Sequence, residues 1–148
     1  MKNILVVENK QSLIHNYHKL YGHSSFVNKI LNLEIIKDPV RASKRIPRNN
    51  FDMLIVNISL HRDNISGIKL ARLAYVAGKK VIVIGDSFID RLKFYMAYPD
   101  MIFKVPYIVS PKTTPSNLYI IDHHINKLLR DISKDNTKII FNEILRNI

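Results

Sequence analysis

Polar residues follow three short apolar runs of the sequence, and their placement first suggests a functional site. The runs are 4–7, 53–56 and 81–84, and they consist mainly of β-branched residues and leucine. Short apolar runs bounded by polar residues predict strands buried on both faces of a parallel sheet. In an open parallel sheet, ligands bind beyond the carboxyl ends of the strands. We therefore expect a site among the residues that end these runs, which are Glu8, Asn9, Asn57, Gly85 and Asp86.

Helical patterns alternate with the strand patterns along the chain. Predicted helices begin near Ser12, Asp38, Ile68, Phe88 and Pro115. Gly22 either ends the first helix or only weakens it, since the same periodicity continues to Leu31. Further strands are predicted at 33–37 and 101–103, the latter followed by a loop over 105–114. This βαβαβαβαβα order predicts a parallel sheet covered on both faces, with right-handed crossovers.

The length of 148 residues suits one domain with a proper core. We assign that domain to residues 1–133 and a helical extension to residues 134–148. The extension is rich in large apolar side chains, at Ile139, Ile140, Phe141, Ile144, Leu145 and Ile148. A short helix of this composition is too apolar to stand free, so we expect it to pack on its own domain or on a second subunit.

Composition excludes several classes of protein. The sequence is 47% hydrophobic and 24% charged, which is ordinary for a soluble globular domain. The absence of cysteine excludes disulfides and thiolate chemistry. Neither a signal-peptide pattern nor an apolar run near the roughly 20 residues of a membrane helix is present. We therefore expect a cytoplasmic protein without a membrane partner.

A net charge of +11 raises the possibility of a nucleic-acid partner. The only dense basic cluster is Lys37, Arg41, Lys44, Arg45 and Arg48. No aromatic residues interleave with it, as they do in many surfaces that bind single strands. We favour a solubilising role for these charges and keep nucleic-acid binding as an alternative.

Five segments, in this order and spacing, resemble the response-regulator receiver domains of two-component signalling. They are Ile4 to Asn9, Phe51 to Asn57, Gly67 to Ala71, Lys80 to Gly85 and Phe103 to Pro106. The resemblance covers residues 3 to about 133. It implies a flavodoxin-like, doubly wound α/β fold with a five-stranded parallel sheet in the order 2-1-3-4-5. Helices would cover both faces, and the extension would add one extra C-terminal helix.

The sequence departs from this family where the family's chemistry takes place. Receiver domains hold Mg²⁺ with two acidic residues and a phosphoaccepting aspartate, but here Asn9 and Asn57 replace two of these carboxylates. Gly85 stands at the Thr or Ser position, whereas Lys104 is retained. Asparagine is a poor nucleophile and offers no charge to a hard cation. The resemblance thus implies a degenerate phosphoacceptor pocket of Glu8, Asn9, Asn57, Gly85 and Lys104, without metal, cofactor or enzyme activity.

The function we predict is a non-phosphorylatable, receiver-like protein–protein interaction module in bacterial two-component signal transduction. In the family, helix four, strand five and helix five form the usual docking and dimerisation face. Here the candidate interaction face is Phe94, Tyr95, Tyr98 and Tyr107. A homodimer through this face or the C-terminal helix is a further expectation. The alternatives are a nucleic-acid-binding regulator that uses residues 37–48 and a phosphorelay member with His123 or His124 as acceptor.

Overall fold

A computed structural model describes residues 2–21 and 31–109 of the chain. Its strands are β1 (Lys2–Val7), β2 (Leu31–Ile36), β3 (Met53–Asn57), β4 (His61–Arg62), β5 (Ile65–Ser66), β6 (Lys80–Gly85) and β7 (Tyr107–Val109). Its helices are α1 (Gln11–Tyr21), α2 (Pro39–Arg45), α3 (Gly67–Val76) and α4 (Phe88–Ala97), with 3₁₀ turns at Ile46–Arg48 and Pro99–Met101.

Five strands form one parallel sheet in the order β2-β1-β3-β6-β7. The predicted α/β architecture with a five-stranded parallel sheet is therefore confirmed. The order differs in detail from the predicted 2-1-3-4-5, because β4 and β5 pair antiparallel in a separate hairpin. Asp63 and Asn64 form the turn of that hairpin with φ angles of 51° and 64°. A two-residue turn with two positive φ angles suits a hairpin, and Asp and Asn tolerate this conformation.

Side chains of the central strands alternate between two hydrophobic clusters on opposite faces of the sheet. Along β1, Leu5 and Val7 join the cluster that contains residues of α2, α3 and α4. Ile4 and Val6 join the other cluster, which contains Leu13 and Tyr17 of α1. The same alternation holds along β3 and β6. The three apolar runs are thus strands buried on both faces, as their composition predicts.

Side-chain caps fix where the helices on the larger cluster begin. Oδ1 of Asp38 accepts a hydrogen bond of 3.1 Å from the backbone N–H of Val40, and Pro39 is the first residue of α2. Ser66 and Ser87 cap α3 and α4 in the same way. A cap of this kind satisfies one of the backbone N–H groups left without a partner in the first turn.

The structure corrects the prediction for the last strand. Residues 101–103 do not form a strand: Met101 ends a 3₁₀ turn, and Phe103 has a left-handed φ of 68°. The strand is instead Tyr107–Val109, within the predicted loop. Leu31, predicted as helical, begins β2 opposite Lys2. The predicted helices after residue 114, the 134–148 extension and most of the predicted helical pattern 22–30 lie outside the described residues.

Gly67 is required because α3 begins directly against the end of β3. A Cβ atom at this position would overlap the carbonyl oxygen of Asn57 and the Cα atom of Ile58. We expect Gly67→Ala to lower the free energy of unfolding by about 1–3 kcal/mol, because backbone must move to admit a methyl group. Urea unfolding at an unchanged slope measures the loss.

Gly78 provides a matched control for this substitution. Its φ is +80°, but nothing lies within 4 Å of a Cβ atom added there. Since asparagine tolerates a left-handed backbone, Gly78→Asn should cost less than about 1 kcal/mol. Equal losses in the two variants would contradict the close approach of α3 to β3.

Candidate functional site

Glu8 and Asn57 meet at the carboxyl ends of β1 and β3. The two strands are adjacent and parallel, with Val7 opposite Val56, so the next residue of each strand emerges at the same edge. Nδ2 of Asn57 donates to both carboxylate oxygens of Glu8, each at 3.1 Å. Both residues are buried, with exposures of 1% for Glu8 and 2% for Asn57. The sequence-predicted partners are therefore in direct contact.

Neighbouring groups complete the hydrogen bonding of this pair. Oδ1 of Asn57 accepts from the backbone N–H of Ser59 at 3.0 Å and from its hydroxyl at 2.6 Å. These bonds turn the amide nitrogen toward Glu8. Oε1 of Glu8 also accepts from the backbone N–H groups of Asn9 and Lys10, at 3.0 and 3.1 Å. A buried carboxylate is thus held by N–H donors, the usual way to offset such a charge when no cation contacts it.

Lys104 does not reach this pair, and the prediction that it converges with Glu8 and Asn57 is wrong. It is exposed in the turn that precedes β7, at the amino end of that strand. The prediction failed because it placed the last strand before Lys104 instead of after it. Lys104 lies close enough to Asp100 to help lower the pKa of that carboxyl, although the hydrogen bond from Arg72 is the main cause.

Two other predicted residues of the edge face solvent. The side chain of Asn9 is exposed, and the hydrogen bond to Glu8 comes from its backbone. Nζ of Lys10 pairs with Oδ1 of Asp86 at 3.0 Å, and both side chains are exposed. The cation nearest in sequence to Glu8 is therefore bound to another carboxylate.

Tyr17 of α1 is a further buried polar group, which the sequence did not single out. Its hydroxyl is fully buried and has no hydrogen-bond partner among the described residues. Burial first, and the negative charge of Glu8 second, raise the pKa of Tyr17 well above its ordinary value. This phenol therefore stays neutral beside the pair.

The donor set at this edge does not fit the Mg²⁺ ion that the receiver resemblance implies. Both oxygens of Glu8 already accept from the amide of Asn57, and an amide N–H cannot coordinate a cation. Within residues 2–21 and 31–109, no group of three or more His, Asp or Glu side chains is placed to hold a metal. Mg²⁺ is usually held by one or two carboxylates and completes its octahedron with water, but the oxygens of Glu8 are already engaged by N–H donors.

Gly85, at the end of β6, allows Tyr107 to lie inward against the sheet. A Cβ atom on residue 85 would overlap the hydroxyl and ring of Tyr107. The hydroxyl donates to the backbone carbonyl of Ser87 at 3.1 Å. Burial, helped by the charges of Asp90 and Asp86, raises the pKa of Tyr107 to about 12. The space that a side chain at residue 85 would occupy is therefore filled by Tyr107 from the neighbouring strand.

The space between α4 and the segment before β7 forms a groove of about 690 Å³. Its walls include Phe88, Leu92, Tyr95, Phe103, Pro106 and Tyr107, and we call it the α4–β7 groove. The hydroxyl of Tyr95 donates to the carbonyl of Val105 at 2.6 Å, which fixes one wall against the other.

Only two of the four residues predicted for the interaction face line this groove, namely Tyr95 and Tyr107. Phe94 is fully buried in the core, so it cannot contact a partner. Tyr98 lies under the guanidinium of Arg72 from α3, at 4.9 Å from the ring centre. The exposed residues that the prediction omitted are Phe88, Leu92 and Phe103. Two features of the sequence could have indicated them: the spacing of four between Phe88 and Leu92, and the position of Phe103 shortly before Pro106.

The basic cluster is mostly exposed, with one exception. Lys37, Arg41, Lys44 and Arg48 face solvent. Arg45 instead pairs with Glu34 at 2.9 Å, and its guanidinium carbon lies 5.9 Å from the ring centre of Phe51. Arg45 is thus a structural residue of the domain.

His123 and His124, the candidate phosphorelay acceptors, lie outside the described residues.

Gly85→Ala tests the placement of Tyr107. The added methyl group should displace the ring, and the pKa of Tyr107 should fall from about 12 toward its ordinary value near 10 because its hydroxyl loses burial. An NMR pH titration of the tyrosine ring carbons, assigned with Tyr107→Phe, measures this.

Gly78→Ala is the control for this titration, because nothing lies near a Cβ atom at that position. It should leave the pKa of Tyr107 unchanged. A pKa that stays near 12 in Gly85→Ala would contradict the described packing.

Comparisons with known proteins bear on the fold. No family model matches the sequence, and no curated protein matches it. A CheY-like receiver domain from Methanospirillum hungatei is similar in structure, with a TM-score of 0.63, 16% identity, and coverage of 88% of this chain and 98% of that one. The Legionella pneumophila response regulator LqsR gives a TM-score of 0.66 at 14% identity, over 86% of this chain and 43% of LqsR.

A third structure of similar fold is described as belonging to a family of streptococcal redox sensors that evolved from two-component response regulators. It has a TM-score of 0.61 and 15% identity, and covers 88% of this chain and 52% of that one. Identities this low carry information on architecture only. Together with the five-stranded parallel sheet, they show that the chain has the fold of response-regulator receiver domains.

Proposed function

We propose that this protein is a receiver-like protein–protein interaction module that is not phosphorylated at position 57. The observation that carries the proposal is the amide of Asn57, which donates to both oxygens of the buried Glu8. In this arrangement position 57 carries no carboxylate to accept a phosphoryl group, and both oxygens of Glu8 are engaged by the amide instead of being free for a cation. Of the five residues predicted for the degenerate pocket, Glu8 and Asn57 are in contact, and Gly85 ends the strand next to β3.

Phosphoryl transfer depends on positioning and on neutralising charge as the phosphoryl group moves. The buried carboxylate of Glu8 is engaged by N–H donors, and Lys104 lies before β7, away from this edge. An aspartate at position 57 alone would add a second negative charge beside Glu8. Several changes, not one, therefore separate this pocket from phosphorylation chemistry.

The α4–β7 groove supports the interaction part of the proposal. Tyr107 lies in the space left by Gly85, and Tyr95 is bonded to Val105, so the two sides of the groove are joined. Exposed apolar residues that lie together in a groove mark a binding surface more often than exposed apolar residues scattered singly over a protein do. We propose that the partner is a protein of a two-component-type signalling pathway. The alternative partner is a second copy of this chain, bound through the same face as a homodimer.

Nucleic-acid binding through residues 37–48 is the weaker proposal. Arg45 is held by Glu34, and the aromatic ring beside the cluster, Phe51, is buried. Surfaces that bind single strands without sequence preference combine cations with exposed aromatic rings. A phosphorelay role for His123 or His124 rests on the sequence alone.

Incubation with acetyl phosphate and Mg²⁺ tests the proposal, with intact-protein mass spectrometry as the measurement. The native protein and Asn57→Asp should gain no phosphoryl group. Asn9→Asp with Asn57→Asp should recover Mg²⁺ binding first and slow phosphorylation second, since it restores two of the missing carboxylates. Asn50→Asp, which adds the same charge at an exposed position, is the control and should behave as the native protein.

Rapid phosphorylation of the Asn57→Asp single variant would contradict the degenerate pocket. Phosphorylation of the native protein, mapped by peptide sequencing to His123 or His124, would favour the phosphorelay alternative instead.

A further inference from the structure

The α4–β7 groove exposes several large apolar side chains next to one another. Phe88 and Leu92 of α4 are 66% and 63% exposed, and Phe103 on the opposite wall is fully exposed. These residues surround a space of about 690 Å³. Contiguous apolar surface of this kind normally has an occupant.

Phe103 adds an independent indication that something binds here. Its φ of 68° places a bulky residue in the left-handed region, which costs free energy. The ring gains no burial in return, since it is fully exposed. Strained residues of this kind occur at binding sites, where the contact they make offsets the strain.

The direction of β7 and the sequence pattern after it indicate where a later part of this chain would run. Ile102, Phe103 and Pro106 all precede β7, so this end of the groove lies at the amino end of the strand. The sequence predicts a helix over 115–132. A helix that follows a strand of a parallel sheet runs back toward the amino end. A helix of eighteen residues is about 27 Å long, whereas a six-residue strand such as β6 is about 20 Å long. The predicted helix is therefore long enough to return to the amino end of the sheet.

The segment that follows that helix has the composition of an amphipathic helix. Ile140, Ile144 and Ile148 recur every four residues, and Phe141 and Leu145 extend the same stripe. A helix of about twelve residues is marginal in water unless its apolar face packs against another surface. Among the described residues, none covers Phe88, Leu92 or Phe103, so the groove offers this segment an apolar surface.

We propose that residues 137–148 dock as an amphipathic helix in the α4–β7 groove of their own chain. Docking would bury Leu92 and Phe103 and would offset the strain at Phe103. The segment would then compete with any protein that binds this face. Only that competition rests on the proposed function. The docking itself is inferred from the exposed apolar residues of the groove and the apolar pattern of residues 137–148.

Engineered cysteines test the contact directly, because the chain has none of its own. Leu92→Cys with Ile144→Cys in the full-length protein should form an intramolecular disulfide under mild oxidation, with loss of both thiols and a monomer on a non-reducing gel. The control is Arg41→Cys with Ile144→Cys, since Arg41 is exposed on α2 and α2 does not line the groove. This pair should form a disulfide at least about tenfold more slowly, because docking does not raise the effective concentration of one cysteine near the other.

Two outcomes of this experiment would overturn the proposal. One is equal rates for the two pairs. The other is a disulfide-linked dimer whose yield rises with protein concentration, which would mean that the groove holds the segment of a second copy. Neither outcome bears on phosphorylation at position 57, so failure here is distinct from failure of the proposed function.

A charge placed in the groove gives a second measurement that needs no disulfide. Leu92→Glu should release the segment, and trypsin should cleave after Lys138 at least about tenfold faster than in the native protein, because cleavage follows the open population. Leu73→Glu is the control, since Leu73 is an exposed leucine of α3 outside the groove. Equal cleavage in the two variants, with both folded by circular dichroism, would contradict the proposal.

Discussion

The contact between the amide of Asn57 and the carboxylate of Glu8 is the constraint on which the carboxyl edge of the sheet depends. A carboxylate with 1% exposure must be offset by hydrogen bonds or by a cation. Here three N–H groups, from Asn57, Asn9 and Lys10, provide that offset at 3.0 to 3.1 Å. The loop after β3 is built around the same amide, because Ser59 fixes its orientation and Gly67 packs against its backbone. Aspartate at position 57 would place two carboxylates together and would remove the amide N–H groups that offset the charge of Glu8.

Much of the fold follows from local chemistry that the sequence displays. The apolar runs at 4–7, 53–56 and 81–84 form the central strands, because a strand covered by helices on both faces of a parallel sheet must be apolar on both sides. Asp38 followed by Pro39 predicts the start of α2 because a side-chain acceptor and a fixed φ both favour a first helical turn. The contact of Glu8 with Asn57 was predictable for the same reason, since adjacent strands in register end at the same edge.

The failures have a common physical cause, which is that tertiary contacts override a local pattern. Residues 101–103 are apolar and suit a strand, but Met101 is buried in a 3₁₀ turn and Phe103 is left-handed. The true strand, Tyr107–Val109, is only three residues long. This shift removed Lys104 from the pocket. The inward position of Tyr107 could not be predicted from sequence either, because it depends on the empty space at Gly85 in the neighbouring strand.

The two ends of the sheet have different roles in this account. At the carboxyl edge, Glu8 and Asn57 are buried and satisfy each other's hydrogen bonding. Beside β7 and toward its amino end, apolar groups are exposed around a groove, so binding is the property that its chemistry favours.

The most direct test of the central claim is an NMR titration of the native protein with Mg²⁺ that observes the side-chain amide of Asn57. If the amide is held by Glu8 without a metal, its two N–H signals should stay in place up to millimolar Mg²⁺ and should exchange slowly with solvent. A saturable shift of these signals, together with faster exchange, would show that Mg²⁺ displaces the amide from Glu8 and would contradict the account.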